Sequence, residues 1–101
     1  MGIRSEATPD GKGLTIAIAG RFDFSAHKDF RQSYEDVDFD PAHFTVDLRD
    51  ATYLDSSALG MLLLLRDHAG GDAAEVKIVN CNADVRKILT ISNFEQLFDI
   101  R

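Results

Sequence analysis

Apolar and polar residues alternate in three separate stretches of this chain. In "LTIAIAG", Leu14, Ile16 and Ile18 interleave with Thr15, Ala17 and Ala19, and strict alternation predicts a strand with one covered face. "FTVDL" repeats the pattern, with Phe44, Val46 and Leu48 on one side and Thr45 and Asp47 on the other, and "EVKIVN" does so through Val76 and Ile78. Ahead of the first stretch, "TPDGKG" supplies Pro9, Gly11 and Gly13, a turn mixture that makes "IRSEA" a hairpin partner and a fourth candidate strand. The last two strands alternate instead of running wholly apolar, which favours helices on one face of the sheet and water on the other.

Helical spacing fills the gaps. Ser25 reads as the N-cap of "AHKDFRQSYE", with Ala26, Phe30 and Tyr34 along one stripe. "SSALGMLLLLRDHAGG" reads as a helix ended by Gly70 and Gly71, with His68 near the negative end of its dipole. Asn82 is placed to cap "ADVRKILTIS", with Val85, Ile88 and Leu89 inward, and the trio Phe94, Leu97 and Phe98 closes the core around a short terminal helix. The expected fold is α/β: a single-layer mixed β-sheet of about four strands, in the order β-β-α-β-α-β-α, with helices mainly on one face. A first antiparallel hairpin followed by helix-joined parallel strands is the economical topology.

Composition narrows the function. At 101 residues the chain suits one domain spanning 1–101, and its 45% apolar content is enough to fill one core. The formal charge is −6, and no Lys/Arg block offsets it, so phosphate backbones are repelled and a nucleic-acid role is disfavoured. The longest apolar run, Ala58 to Leu65, falls far short of the ~20 residues a membrane helix needs, so no membrane insertion is expected. "MGIRSEATPDGKG" lacks a signal-peptide core, and Glu6 stands where a myristoylation pattern wants Ser or Thr. Cys81 is the only cysteine and reads as a small apolar group at a strand end, with no Cys or His at ligand spacing. A cytoplasmic protein, monomeric alone and without cofactor or metal, fits these features.

The stretch "YLDSSALGMLLLL" carries the candidate chemistry. Asp55 or Ser56 can cap the helix by accepting from a free amide of its first turn, although the reciprocal capping box is absent because Ala58 and Leu59 stand where Glu or Gln is needed. The same first turn offers free N–H groups and the positive dipole end, a setting that stabilises a phosphate. Phosphorylation of Ser56 would add about −1.5 to −2 charges beside Asp55. Along the helix, Ala58, Leu59, Leu62, Leu65 and Ala69 cluster on one side, while Leu64 falls opposite, near Ser57 and His68, with Met61 bordering it. Leu64 and Met61 beside a modifiable serine make a docking face, unless a further element covers them.

A nucleophilic enzyme is disfavoured. "DSSALG" lacks the Gly-x-Ser-x-Gly elbow of α/β hydrolases, and His27, His43 and His68 are scattered. The acidic "YEDVDFD" lacks the glycine and closing glutamate of a calcium loop and reads as a solvated loop.

"VDLRDATYLDSSALGMLLLLRDHA" resembles the central signature of the STAS domain, in particular that of the stand-alone anti-sigma factor antagonists of bacteria. "IAIAGRFDFSAH", with Gly20 and Asp23, resembles the family's early strand and turn, and "VKIVNCNADVRKILTISNFEQLF" resembles its closing strand, helix and terminal contact. The resemblance implies that Ser56 is the phosphorylation site and Asp55 its companion acid, with Leu59 and Gly60 at the helix start and Asp23 near the same surface. It implies a partner serine kinase of the histidine-kinase-like ATPase type, often the anti-sigma factor itself, and a PP2C-type phosphatase. The unphosphorylated form would bind the kinase and the phosphorylated form release it. On that basis Asp23, Asp55, Ser57, Ala58, Met61 and Leu64 are the expected partner-binding residues, and a response regulator carrying its own phosphatase is a further candidate partner. Ala58 departs from a frequent glycine and Asn93-Phe94 from a frequent Gly-Leu pair. The competing reading is an accessory subunit of a transport complex, in which the fold serves assembly.

Overall fold

The computed structural model describes residues 2–101. Five strands form one sheet in sequence order: β1 (Gly2–Ala7), β2 (Gly13–Phe22), β3 (His43–Leu54), β4 (Val76–Val79) and β5 (Asp99–Ile100). β1 runs antiparallel to β2, and every later neighbour is parallel. Three helices, α1 (His27–Glu35), α2 (Ser56–His68) and α3 (Ala83–Ile91), make the connections between parallel strands that such strands require.

The alternation explains the layering. Leu14, Ile16, Ile18, Phe44, Val46, Leu48, Val76 and Ile78 are all buried, and with Phe30, Tyr34, Leu62, Leu65, Val85 and Leu89 from the helices they form one core. Thr15, Ala17, Thr45 and Asp47, the intervening positions, keep partial exposure. The helices therefore cover one face and the other stays open.

The expected count of four strands is short by one. After a 3-10 turn at Phe94–Gln96 the chain ends in β5, which pairs Asp99 with Lys77 and Ile100 with Ile78. Two residues are too few to show a period, so the segment reads as the end of a helix. Phe94 and Phe98 close the core with rings 5.3 Å apart, whereas Leu97 is exposed. Asn93 adopts φ +60°, the left-handed conformation that asparagine tolerates better than most residues, which explains how it can stand where glycine is frequent.

The start of α1 also differs from expectation. Its N-cap position is Ala26, with no side-chain cap, and Asp23 instead caps a 3-10 turn at Phe24–Ala26 that leads into α1. Asn82 caps α3 as expected, accepting from the Val85 amide at 2.9 Å. Its Nδ2 also donates to the Ala51 carbonyl, which ties α3 to β3.

Candidate functional site

The end of β3 and the start of α2 meet at one rim of the sheet. Asp55 has extended backbone (φ −110°, ψ −176°), and its Oδ1 accepts from the Ala58 amide at 2.9 Å, so of the two candidate caps Asp55 is the one that caps α2. Ser56 is then released from capping. It is the first residue of α2 and is exposed, at the helix end where free amides and the dipole favour negative charge. Ser57 and Asp55 are partly exposed.

Asp23 occupies the adjoining turn. Phe22 pairs with Leu54 in neighbouring strands, and the Asp55 amide donates to the Phe22 carbonyl at 3.4 Å, so both aspartates start turns at the same rim. The Ser25 hydroxyl and the Ser25 amide donate to Asp23, and Arg21 lies 3.5 Å away. These contacts, the Ser25 hydroxyl foremost, hold the Asp23 carboxyl below its ordinary value. Arg21 also stacks over the Tyr53 ring at 4.5 Å.

Two expected partner-binding residues lie elsewhere. Ala58 is fully buried and Met61 is 3% exposed, both packed in the core. The expectation that they lie on an exposed face is corrected: neither side chain reaches the surface. Leu64 is exposed as expected, at 52%, and Leu63, which the helical spacing did not single out, is exposed at 41%. On α2 the exposed residues are Ser56, Gly60, Leu63, Leu64, Asp67 and His68, which fall on one side at spacings of three and four. At Gly60 an added Cβ would meet nothing within 4 Å, so the domain's own packing does not require glycine there. Phe24 is a second residue the sequence reading passed over. It is 71% exposed, in the turn that Asp23 starts. An aromatic set between an aspartate and a serine in a turn was the available signal.

Among the described residues no group of His, Cys, Asp and Glu is arranged to hold a metal ion, and no helix is long and apolar enough to cross a membrane. Cys81 is half-buried just beyond β4.

The family model described as Mlab, STAS domain matches residues 6–99. A STAS-domain containing protein of Pseudomonas aeruginosa (strain UCBPP-PA14) is 64% identical over 100 residues, covering 99% of each chain. The anti-sigma factor antagonist SpoIIAA in its unphosphorylated form superposes with a TM-score of 0.74 at 17% identity, over 98% of this chain and 86% of that one. An anti-sigma factor antagonist from Mycobacterium paratuberculosis gives 0.75 at 15%, over 97% and 84%. A sulfate transporter family protein from Wolinella succinogenes gives 0.72 at 13%, over 92% and 84%. At these identities the three structures speak to the fold.

Proposed function

Because this chain belongs to the STAS domain family, a family of non-enzymatic binding modules, we propose that it is a phospho-regulated partner-switching protein of the anti-sigma factor antagonist kind. The observation that carries this reading is Ser56: exposed, first in α2, and free of the capping duty that Asp55 performs. In this role the unphosphorylated form binds a serine kinase or anti-sigma factor of the histidine-kinase-like ATPase type, in the cytoplasm. Phosphorylation of Ser56 releases it, and a PP2C-type phosphatase, including one carried by a response regulator, resets it. The docking surface comprises Asp23, Asp55, Ser57 and Leu64, extended by Phe24 and Leu63, with Ala58 and Met61 holding α2 in place from below.

The physics of the switch is local. A tenfold loss of affinity corresponds to ~1.4 kcal/mol. A phosphate brought between Asp55 and an apolar partner surface reaches that through repulsion and desolvation. Within the domain the same phosphate sits at a helix N-terminus, which tolerates it. Release then comes from the interface, and the fold need not rearrange.

The test is labelling by the kinase, read by intact mass. Wild type gains one phosphate and Ser56→Ala gains none. Labelling of Ser57 or of a threonine in the Ser56→Ala protein would falsify the assignment. The likeness to a sulfate transporter family protein keeps the transport-subunit reading in play. Co-purification with membrane transporter subunits that Ser56→Asp does not disturb would favour it.

A further inference from the structure

The outer edge of β1 faces no other strand. Arg4 to Ala7 are exposed, and β1 carries none of the features that blunt a sheet edge: no proline, no lysine and no bulge. Its register with β2 runs unbroken from Gly2 to Ala7. The ladder between β2 and β3, by contrast, bulges between Ala17 and Ala19 and again between Gly20 and Arg21. The opposite edge of the sheet, β5, offers only two residues.

The ladder with β2 fixes which groups of β1 point outward. The Thr8 amide donates to the Gly13 carbonyl at 2.9 Å, one step beyond the pairing of Ala7 with Leu14. Bonded pairs alternate along an antiparallel ladder. Glu6 and Arg4 therefore turn their backbone groups toward β2, and Ile3, Ser5 and Ala7 turn theirs toward the open edge. Side chains alternate as well. Arg4, opposite Ala17, and Glu6, opposite Thr15, stand on the face of the sheet away from the helices. Among the described residues neither Arg4 nor Glu6 forms an ion pair.

These positions make the edge complementary to itself. When two copies meet antiparallel about Ser5, the outward groups of Ser5 bond those of Ser5 in the second copy, and Ile3 bonds its Ala7. Arg4 then falls opposite Glu6 of the second copy, and Glu6 opposite its Arg4. Both are non-bonded pairs, the ones at which side chains come closest. The neighbouring registers set like charges opposite: Arg4 against Arg4 when Ile3 meets Ser5, Glu6 against Glu6 when Ser5 meets Ala7. Charge thus selects the register of fullest overlap.

We infer that β1 is a homodimer interface: a second copy of this chain adds its β1 antiparallel about Ser5, with Arg4 and Glu6 paired across the two-fold axis. The two sheets then run on as one. The contact is isologous, so it closes at two copies. It departs from the monomer that composition suggests. It is also independent of the switch, since Ser56 follows β3, which β2 separates from β1.

The test is sedimentation equilibrium on the untagged full chain, from micromolar to millimolar concentration. Two copies of net charge −6 repel at long range, so the ionic strength is kept physiological. A monomer–dimer equilibrium is expected, with the Ser5 amide gaining protection from hydrogen exchange as the dimer fills. Glu6→Arg sets arginines opposite one another and should weaken the dimer about tenfold or more. Arg4→Glu should do the same, and the double exchange of Arg4→Glu with Glu6→Arg should restore wild-type association. Ser5→Pro removes an amide that points outward, so the variant should fold, as circular dichroism reads, and stay monomeric. Should it fail to fold, the charge exchange still decides. Ser56→Asp should dimerise as wild type does. A monomer throughout the range, single variants that associate like wild type, or a double exchange as weak as either single would overturn the inference. A dimer whose exchange protection falls on α2 would overturn it too, in favour of a contact through Leu63 and Leu64.

Discussion

Two turns of this molecule share almost the same sequence and do different things. Phe22-Asp23-Phe24-Ser25-Ala26 follows β2, and Leu54-Asp55-Ser56-Ser57-Ala58 follows β3. In each, a buried apolar residue ends the strand, an aspartate with extended backbone caps the next turn, and a buried alanine anchors it. The hydrogen bonds then diverge. Asp23 accepts from the amide two residues on and its turn is a 3-10 turn, whereas Asp55 reaches the amide three residues on and an α-helix of 13 residues begins at once. Between the aspartate and the second serine stands the one position at which both turns display a side chain outward, Phe24 in the first and Ser56 in the second. The frame presents a residue; the identity of that residue decides what can be done to it. One turn offers an apolar contact and the other a hydroxyl.

The sharpest way to break this comparison is to move the hydroxyl. Ser56→Ala should lose phosphate incorporation entirely, and adding Phe24→Ser to that variant should not restore it, because the first turn lacks α2 behind it. Intact mass after incubation with the kinase reads both. Restored labelling would mean that the frame alone suffices. Next in size are the strand ends. Phe22→Ala should cost about 3–5 kcal/mol and Leu54→Ala about 2–5 kcal/mol in denaturant unfolding, since each empties a fully packed position. If only one of them destabilised the fold, the two frames would not be structural equals.

The caps should separate the turns more finely. Asp55→Ala should cost about 1 kcal/mol, because it caps a long helix. Asp23→Ala should cost less, because it caps a turn of three residues. Equal losses would contradict the distinction between the turns. Gly60→Ala should act with the opposite sign and raise stability by about 1 kcal/mol, since the added methyl meets open space within a helix. If Gly60 instead serves close approach of a partner, the same substitution weakens kinase binding while the melting temperature rises. The smallest effect is electrostatic. The folded-state pKa of Asp23 lies below the ordinary aspartate value, held there first by the Ser25 hydroxyl. Its contribution is therefore fully present above that value and is lost as pH falls through it toward the lower folded value. Ser25→Ala removes the largest cause and should move the Asp23 carboxyl titration, followed by NMR, back upward.

How much of this was legible in the sequence depends on the kind of signal. Alternation located β2, the first half of β3 and β4, because a covered sheet face imposes a period of two. It also gave helices on one face. It lost β3 beyond Leu48, where the bulges replace the period of two with a period of three. It missed β5, which pairs through only two residues. The apolar run of α2 predicted a helix and its core side, since Ala58, Leu62 and Leu65 are buried with Leu59 and Ala69 packed against them. With apolar residues all around, the spacing did not mark the edges of that side, so it sets Met61 outside and passes over Leu63. Asp55 and Ser56 were legible as a pair because both can cap. Only the backbone geometry assigned the cap to Asp55 and left Ser56 exposed. Asp23 was expected near the same surface, and the pairing of Phe22 with Leu54 brings it there. Ser25 was credited with the cap because serine is a favoured capping residue. No side chain caps α1, and Asp23, two residues upstream of Ser25, caps the preceding 3-10 turn with the Ser25 amide as donor.

The antiparallel placement of β1 has a practical outcome for anyone building sensors from this protein. Gly2 pairs with Ala19, near the end of β2, and β5 runs parallel to the strands that lead to α2. Gly2 and the end of β5 thus lie toward the Ser56 side, and a fluorescent cargo fused to either would crowd the surface around Ser56. The exposed acidic loop between α1 and β3, at Asp38 or Asp40, opens on the opposite rim. Cargo grafted there would leave the approach clear.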